Sequence, residues 1–159
     1  MPASLRDRLE ADLKEAMKVR DTRRVSCIRM LKSSMLEREV ALRGSRGTGY
    51  KLDDEEARAV ISAYAKQRRD SIAGFRQGGR EDLAAQEEAE LEIVGAYLPA
   101  PLSDAELRRL VDEAVQASGA TGPRDLGAVM KVLMPRLGGA ADGKRVNELV
   151  RERLGRATG

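Results

Sequence analysis

Apolar residues recur along this chain with the period of an α-helix, and no stretch alternates with the period of two that a half-buried strand requires. In the first segment Leu5, Leu9, Leu13 and Met17 follow one another at four-residue steps, which places all four on one side of a helix. The same pattern returns in later segments, and β-branched residues are thinly spread. The sequence therefore predicts an all-α protein, with an N-terminal multi-helix array followed by a small C-terminal three-helix bundle.

Polar residues at the ends of these segments predict where the helices begin and end. Three pairs have the spacing of a capping box: Ser4 with Asp7, Asp53 with Glu56, and Ser103 with Glu106. Asp142 is predicted to cap the last helix, and Pro135 is predicted to end the one before it. On the second helix we expect Leu36 on the buried side. The glycine-containing segment 43–52 is predicted to be an exposed loop.

The proline-containing segment Pro99-Ala100-Pro101-Leu102 is the best candidate for a domain boundary. We therefore predict an N-terminal helical domain at residues 1–98 and a three-helix domain at residues 99–159. Leu, Val, Ile and Phe together make up 34 of the 159 residues, about one fifth, so the cores should be small. The second domain is close to the lower size limit for independent folding.

Several classes of site are excluded by the residues that the chain lacks. There is no histidine and one cysteine, Cys27, so imidazole-based catalysis, a disulfide within the chain and a cysteine zinc cluster are all excluded. We expect Cys27 to be a buried, unreactive thiol, and we predict no catalytic residue, no metal and no cofactor. No apolar run approaches a membrane span, and the N-terminus has no secretion signal. These features predict a cytoplasmic protein that does not contact a membrane.

Charge is distributed in blocks, with a net charge of +7 over residues 1–80, −8 over residues 81–113 and +4 over residues 114–159. On the third helix Lys66, Arg69, Arg76 and Arg80 form a basic stripe away from the apolar side. The stripe has the spacing to follow a phosphate backbone, but it is also typical of a solvated face that the acidic fourth helix neutralises. Arg68 falls inside the apolar stripe, and we expect it to pair with a carboxylate.

The segment 138–145 has the glycine and lysine spacing of a phosphate-binding P-loop. Arg145 stands where that motif needs a serine or threonine for magnesium, and a helix end precedes the segment where the motif needs a strand. A tight turn followed by the cap at Asp142 is the better interpretation.

Longer segments carry a family resemblance. Asp125 to Lys131 and Gly138 to Val150 resemble the YqeY family (GatB/YqeY), and residues 28–32, 66–71 and 90–99 also look like landmarks of that family. Ala128 departs from the pattern, which often has lysine there. The resemblance implies that the C-terminal domain is shared with the tail of the B subunit (GatB) of the amidotransferase that converts Glu-tRNA(Gln) and Asp-tRNA(Asn). In that enzyme the tail helps to hold tRNA.

The resemblance leads to three functional hypotheses. The first is a non-catalytic accessory protein that binds tRNA or other structured RNA and is linked to tRNA-dependent amidation. The second is a protein–protein adaptor whose partner is an amidotransferase subunit or another complex. The third is a carbon–nitrogen ligase with glutamine as amido donor, a label that the shared tail would bring although the residues form no catalytic set.

Two groups of residues carry the first hypothesis. The cations predicted to contact RNA are Lys131, Lys144, Arg145 and Arg151 in the C-terminal domain and Lys66, Arg69 and Arg76 on the third helix. The motif residues are Gly127, Asp142, Gly143 and Asn147. Each motif residue also has a purely structural interpretation: Gly127 would allow close helix packing, Asp142 would cap a helix, Gly143 would suit a first turn, and Asn147 would hydrogen-bond between helices.

Overall fold

The computed structural model describes residues 3–137 and 140–156, and within these ranges every regular element is helical. The chain divides into two compact units, Met1–Leu98 and Pro99–Gly159. The prediction of an all-α protein is confirmed. None of the helices in these ranges combines the length and the apolar character that a membrane span requires.

The first unit contains four helices: α1 (Leu5–Lys18), α2 (Thr22–Arg46), α3 (Asp54–Gln77) and α4 (Glu81–Gly95). α3 packs along α4, and α2 contacts the other three helices. The largest fully buried side chains of its core are Leu9, Ile28, Leu31, Met35, Ile61 and Val94.

The second unit contains α5 (Asp104–Ser118), a 3₁₀ turn (Pro123–Asp125), α6 (Leu126–Leu137) and α7 (Gly143–Arg156). Each of the three α-helices contacts the other two. They enclose a core of aliphatic side chains, the largest being Val111, Val129, Leu133, Val146, Leu149 and Leu154. Gly119 ends α5 with a φ of 70°, the left-handed conformation that glycine adopts without steric cost.

The caps predicted from the sequence are confirmed. The amide donors lie 3.1 Å from Ser4 Oγ, 2.8 Å from Asp53 Oδ1 and 3.2 Å from Ser103 Oγ in the three capping boxes. Asp142 accepts a hydrogen bond from the amide of Lys144 at 3.3 Å. Each such bond satisfies a donor that the helix itself leaves open and typically contributes about 1 kcal/mol.

Two predictions about α2 are wrong. The helix continues to Arg46, four residues into the expected loop, and Gly47 ends it with a φ of 103°. Leu36 is 52% exposed, because the core side of α2 is set by Ile28, Leu31 and Met35, and Leu36 is rotated about 100° from Met35 around the axis.

The prediction that Pro135 ends the sixth helix is also wrong, since α6 continues for two residues to Leu137. A proline removes one amide donor and crowds the preceding turn. Because Pro135 lies in the last turn, the lost bond is near the end of the helix, where the interruption costs least. Gly138 and Gly139, which supply the glycines of the P-loop-like segment, lie outside the described residues.

Candidate nucleic-acid interface

The side of α7 that faces α5 is neutralised by ion pairs. Three arginine–carboxylate pairs connect the two helices: Arg145 with Asp104 at 2.7 Å, Arg153 with Asp112 at 2.7 Å, and Arg108 with Glu152 at 3.5 Å. Arg145 also pairs with Glu148 at 3.3 Å. Because two carboxylates surround its guanidinium, the pKa of Arg145 is raised further above its ordinary value. Arg145, predicted from the sequence as an RNA contact, is thus occupied within the protein.

A different flank of α7 carries cations that have no carboxylate partner among the described residues. Lys144 and Arg151 are seven residues apart, which is about two helical turns, so they lie on the same flank. Arg151 Nε donates to Asn147 Oδ1 at 2.7 Å. This bond runs within α7, so the interpretation of Asn147 as a link between helices is wrong. Asn147 instead holds the Arg151 side chain along the helix.

The carboxylates of this region are all engaged elsewhere. Between residues 119 and 156 the acidic side chains are Asp125, Asp142, Glu148 and Glu152. Asp125 accepts hydrogen bonds from the amides of Thr121 at 2.8 Å and Gly122 at 3.4 Å, and the Thr121 amide in particular lowers the pKa of Asp125. Asp142 caps α7, and the two glutamates pair with arginines.

Five cations of the second unit therefore have no carboxylate partner within residues 99–137 and 140–156. We call them the C-terminal cation set: Arg124, Lys131, Arg136, Lys144 and Arg151. All five are exposed, and they lie on the 3₁₀ turn, α6 and α7, none on α5. Sequence reasoning missed Arg124 and Arg136. The sequence did contain a signal for unpaired cations. Asp125 and Asp142 stand at helix starts, where carboxylates act as caps and are then not available to pair with nearby cations.

The outer face of α6 around Lys131 is free of carboxylates. It carries Gly127, Ala128, Met134 and Pro135, all of them exposed. A Cβ added at Gly127 would meet no atom within 4 Å, so the interpretation of Gly127 as a close-packing residue is wrong. A Cβ at Gly143, the first residue of α7, would also meet nothing within 4 Å, which is consistent with its interpretation as a first-turn residue. Small residues beside a free lysine leave room for another backbone to approach α6 closely.

The basic stripe predicted for the third helix is half neutralised, and its placement is wrong for Arg80, which directly precedes α4 and does not lie on α3. Arg76 pairs with Glu81 at 3.2 Å and also with Glu88, and Arg80 pairs with Asp82 at 3.1 Å. All of these carboxylates belong to α4, as the solvated-face interpretation expects. Lys66 and Arg69 are exposed and have no carboxylate partner within residues 3–98, so they are the part of the stripe still available to an anion.

Two other residues singled out in the sequence have structural roles. Arg68 pairs with Glu87 at 3.2 Å and lies over the Tyr64 ring, 5.0 Å from its centroid, which confirms the expected carboxylate partner. Cys27 is buried, and burial raises the pKa of its thiol to about 11, so little thiolate exists at neutral pH. Across the described ranges no three His, Cys, Asp or Glu side chains are grouped as metal ligands.

Comparison with known proteins identifies the family to which this all-α chain of two small units belongs. The sequence pattern described as "Yqey-like protein" matches residues 6–154. The chain therefore belongs to the YqeY family, and the resemblance noted in the sequence is confirmed.

Curated relatives include fungal proteins with the name "Altered inheritance of mitochondria protein 41, mitochondrial". The one from Saccharomyces cerevisiae strain S288c is 36% identical over 90 residues, which is 57% of this chain and 46% of the relative. The one from Eremothecium gossypii is 34% identical over 99 residues, covering 62% of this chain and 51% of the relative. The chain thus spans about half the length of the curated relatives that it matches.

Proposed function

We propose that this YqeY-family protein binds structured RNA, with tRNA as the first candidate, through the C-terminal cation set. The observation that carries the proposal is the separation of charge on the second unit. Cations that face α5 are paired, whereas Arg124, Lys131, Arg136, Lys144 and Arg151 are exposed with the local carboxylates engaged as caps or in other pairs. An unpaired cation can exchange its counterions for a phosphate without first breaking an ion pair.

The contacts are expected to be with the RNA backbone. The cations are exposed side chains, and the second unit has no aromatic residue to stack on a base. Recognition would then depend on the shape of the RNA and the spacing of its phosphates. Lys66 and Arg69 on α3 form a second, separate candidate contact. Arg145 and Arg76 have a smaller role in this proposal, because each would have to leave its carboxylate partners to reach a phosphate.

The test is equilibrium binding of fluorescent bulk tRNA to the full chain over a series of salt concentrations. If all five cations each neutralise a phosphate, log affinity should fall against log salt with a slope of about −4. A length-matched RNA duplex serves as competitor and separates recognition of the tRNA shape from general attraction to RNA.

Single charge reversals locate the surface. Lys131→Glu, Lys144→Glu and Arg151→Glu should each weaken tRNA binding by about tenfold and make the salt slope less steep by about 1. The matched control is Arg109→Glu, which makes the same charge change on the same unit but on α5, at a side chain that is 70% exposed. A slope near zero, or equal losses for the control and the three variants, would contradict the proposal.

A more specific part of the proposal is a role in tRNA-dependent amidation, which rests on the resemblance of the second unit to the GatB tail. In this reading the protein delivers or holds tRNA for an amidotransferase and does not itself form the carbon–nitrogen bond. Incubation of the purified chain with glutamine, ATP, magnesium and Glu-tRNA should release no glutamate above background, and turnover would instead support the ligase label.

The cellular location of the protein can also be tested by experiment. We propose a cytoplasmic location from the sequence, whereas the name of the fungal relatives places those proteins in mitochondria. Fractionation of cells that express the protein would distinguish the two.

A further inference from the structure

Exposed apolar side chains are concentrated on one part of the first unit. Six large apolar residues of the described chain are strongly exposed, and Met134 on α6 is one of them. The other five lie on α2 or at its junction with α1: Met17, Val19, Met30, Leu36 and Val40, each at least 50% exposed. Single exposed apolar residues are common on protein surfaces, but Met17 and Met30 lie together in the lining of one groove, whereas Leu36 lines a separate cavity with Leu9 and Met35.

A groove of about 580 Å³ lies within this region, and we call it the α1–α2 groove. Its apolar lining is Met17, Val25 and Met30, and its charged lining is Arg20 and Arg29. Methionine side chains are unbranched and adaptable, so they fit apolar groups of different shape. The size is that of pockets that take a small ligand or a few side chains of a partner.

The backbone at the edge of the groove has an unusual conformation. Arg20 has a φ of 58°, the one positive φ among non-glycine residues of the described ranges. The left-handed region costs an arginine about 1 kcal/mol relative to glycine. The turn is fixed on both sides, since the Asp21 amide donates to Ala16 O at 2.9 Å and the Arg20 amide to Met17 O at 3.3 Å. The strained turn brings an arginine to the groove lining, where a glycine would relieve the strain.

The charge around the groove has one sign. Among the residues that the structure describes, no carboxylate lines the groove. The nearest acidic residues in sequence are engaged, because Asp12 and Glu15 pair with Arg24 and Asp21 caps α2. Arg20 and Arg29 have no carboxylate partner within residues 3–98, and both are exposed.

We propose that the α1–α2 groove binds an acidic amphipathic helical segment of a partner protein. Apolar side chains of the segment would enter the groove against Met17, Val25 and Met30, and its carboxylates would pair with Arg20 and Arg29. Charge complementarity selects this occupant, because a basic or neutral helix would leave two desolvated guanidinium groups unpaired. The proposal goes beyond RNA binding, since it concerns another unit and another class of partner.

The test is a selection from a display library that presents a helix with randomised surface positions, carried out against the full chain. Enriched peptides should be acidic, with apolar residues at i, i+3 or i+4, and i+7. The consensus peptide is then synthesised with a fluorescent label, and its affinity is measured by anisotropy. Arg29→Glu and Met30→Asp should each weaken it by about tenfold, the typical loss at a central contact.

The matched control is Leu36→Asp, because Leu36 is on the same helix and 52% exposed, close to the 50% of Met30, but does not line the groove. It should change the affinity by less than about twofold. Far-UV circular dichroism confirms that each variant is folded, and the exposed Arg29 provides a second test if Met30→Asp unfolds the unit.

Three outcomes would overturn the proposal: enrichment of no acidic amphipathic class, binding that Arg29→Glu and Met30→Asp leave unchanged, or an equal loss with Leu36→Asp. A membrane arm uses vesicles of equimolar phosphatidylglycerol and phosphatidylcholine. Binding to these vesicles that Met30→Asp abolishes, without selection of an acidic peptide, would assign the groove to an anionic lipid surface and likewise overturn it.

Discussion

Glu39 is a charged side chain inside the first unit, and the contacts around it predict how stability responds to mutation. The residue is 2% exposed, accepts a hydrogen bond from the Leu52 amide at 3.1 Å, and forms an ion pair with Arg6. Burial by itself would raise the pKa of Glu39, but the Leu52 amide and the Arg6 guanidinium together keep that pKa below its ordinary value. The carboxylate is therefore ionised in the folded protein at neutral pH.

Removing the exposed partner should cost more than neutralising the buried one. Loss of one member of a fully buried pair costs about 3–5 kcal/mol. The Arg6 side chain is 39% exposed, so solvent screens the pair, and we expect Arg6→Ala to lower the free energy of unfolding by about 2 kcal/mol. Glu39→Gln keeps an oxygen for the Leu52 amide and leaves Arg6 hydrated, so its expected cost is about 1 kcal/mol.

The chain has three tyrosines and no tryptophan. Because Tyr50, Tyr64 and Tyr97 all lie in the first unit, tyrosine fluorescence reports the unfolding of that unit alone. Urea denaturation at neutral pH, followed by tyrosine fluorescence, gives the two free energies. The control is Arg23→Ala, an exposed arginine of α2 without a carboxylate partner within residues 3–98, which should change stability by less than about 0.5 kcal/mol. If Glu39→Gln is as destabilising as Arg6→Ala, the reasoning fails.

The same pair predicts a pH dependence. Because the pKa of Glu39 is lower in the folded protein, its contribution to stability is complete well above the ordinary value of 4.5. That contribution is lost as the pH falls through the folded pKa. The stability difference between the native sequence and Glu39→Gln should therefore shrink below about pH 4.5. A difference that stays constant down to pH 3 would contradict the assignment of an ionised Glu39.

Three further predictions concern single groups. Tyr97→Phe removes the hydrogen bond from the Tyr97 hydroxyl to Asp12 at 2.6 Å and should destabilise the first unit by about 1–2 kcal/mol in urea denaturation. Ser103→Ala removes the cap of α5 and should lower the stability of the second unit by about 1 kcal/mol, measured by thermal melting in far-UV circular dichroism. Cys27, buried with a thiol pKa of about 11, should react slowly with a disulfide reagent at pH 8 in the folded chain and fast in urea; equal rates would show that the thiol is accessible.

Features determined by neighbouring residues could be predicted from the sequence. The capping boxes at Ser4, Asp53 and Ser103 depend on residues three apart, so their spacing is visible without a structure. The all-α class follows from the helical period in the same way.

Features that depend on distant residues could not be predicted. α2 carries apolar residues on two sides, and its sequence alone does not tell which side meets the core. The prediction that Leu36 lies on the buried side is therefore wrong. Glu39 is buried beside Arg6 and Leu52, which are 33 and 13 residues away in the sequence. The sequence around Glu39 therefore does not show that it is buried. The same holds for the candidate RNA contacts. Net charge indicates a basic region, but Arg145 is neutralised by Asp104, 41 residues away.

Gly127 offers a test that separates a helix-packing role from a role in RNA binding. It lies in the first turn of α6, is exposed, and a Cβ there would meet nothing within 4 Å. Alanine is the better helix former, so Gly127→Ala should stabilise the second unit by up to about 0.5–1 kcal/mol. If an RNA backbone approaches α6 beside Lys131, the added methyl group should at the same time weaken tRNA binding.

The matched control for this pair of effects is Gly74→Ala, inside α3, where a Cβ also meets nothing within 4 Å. It should raise the stability of the first unit and leave tRNA affinity unchanged, because α3 places its free cations, Lys66 and Arg69, more than a turn away. Opposite effects of Gly127→Ala on stability and affinity would place the RNA against the first turn of α6. If Gly127→Ala and Gly74→Ala bind tRNA with equal affinity, the RNA backbone does not approach the first turn of α6. The small residues beside Lys131 would then have no role in RNA binding.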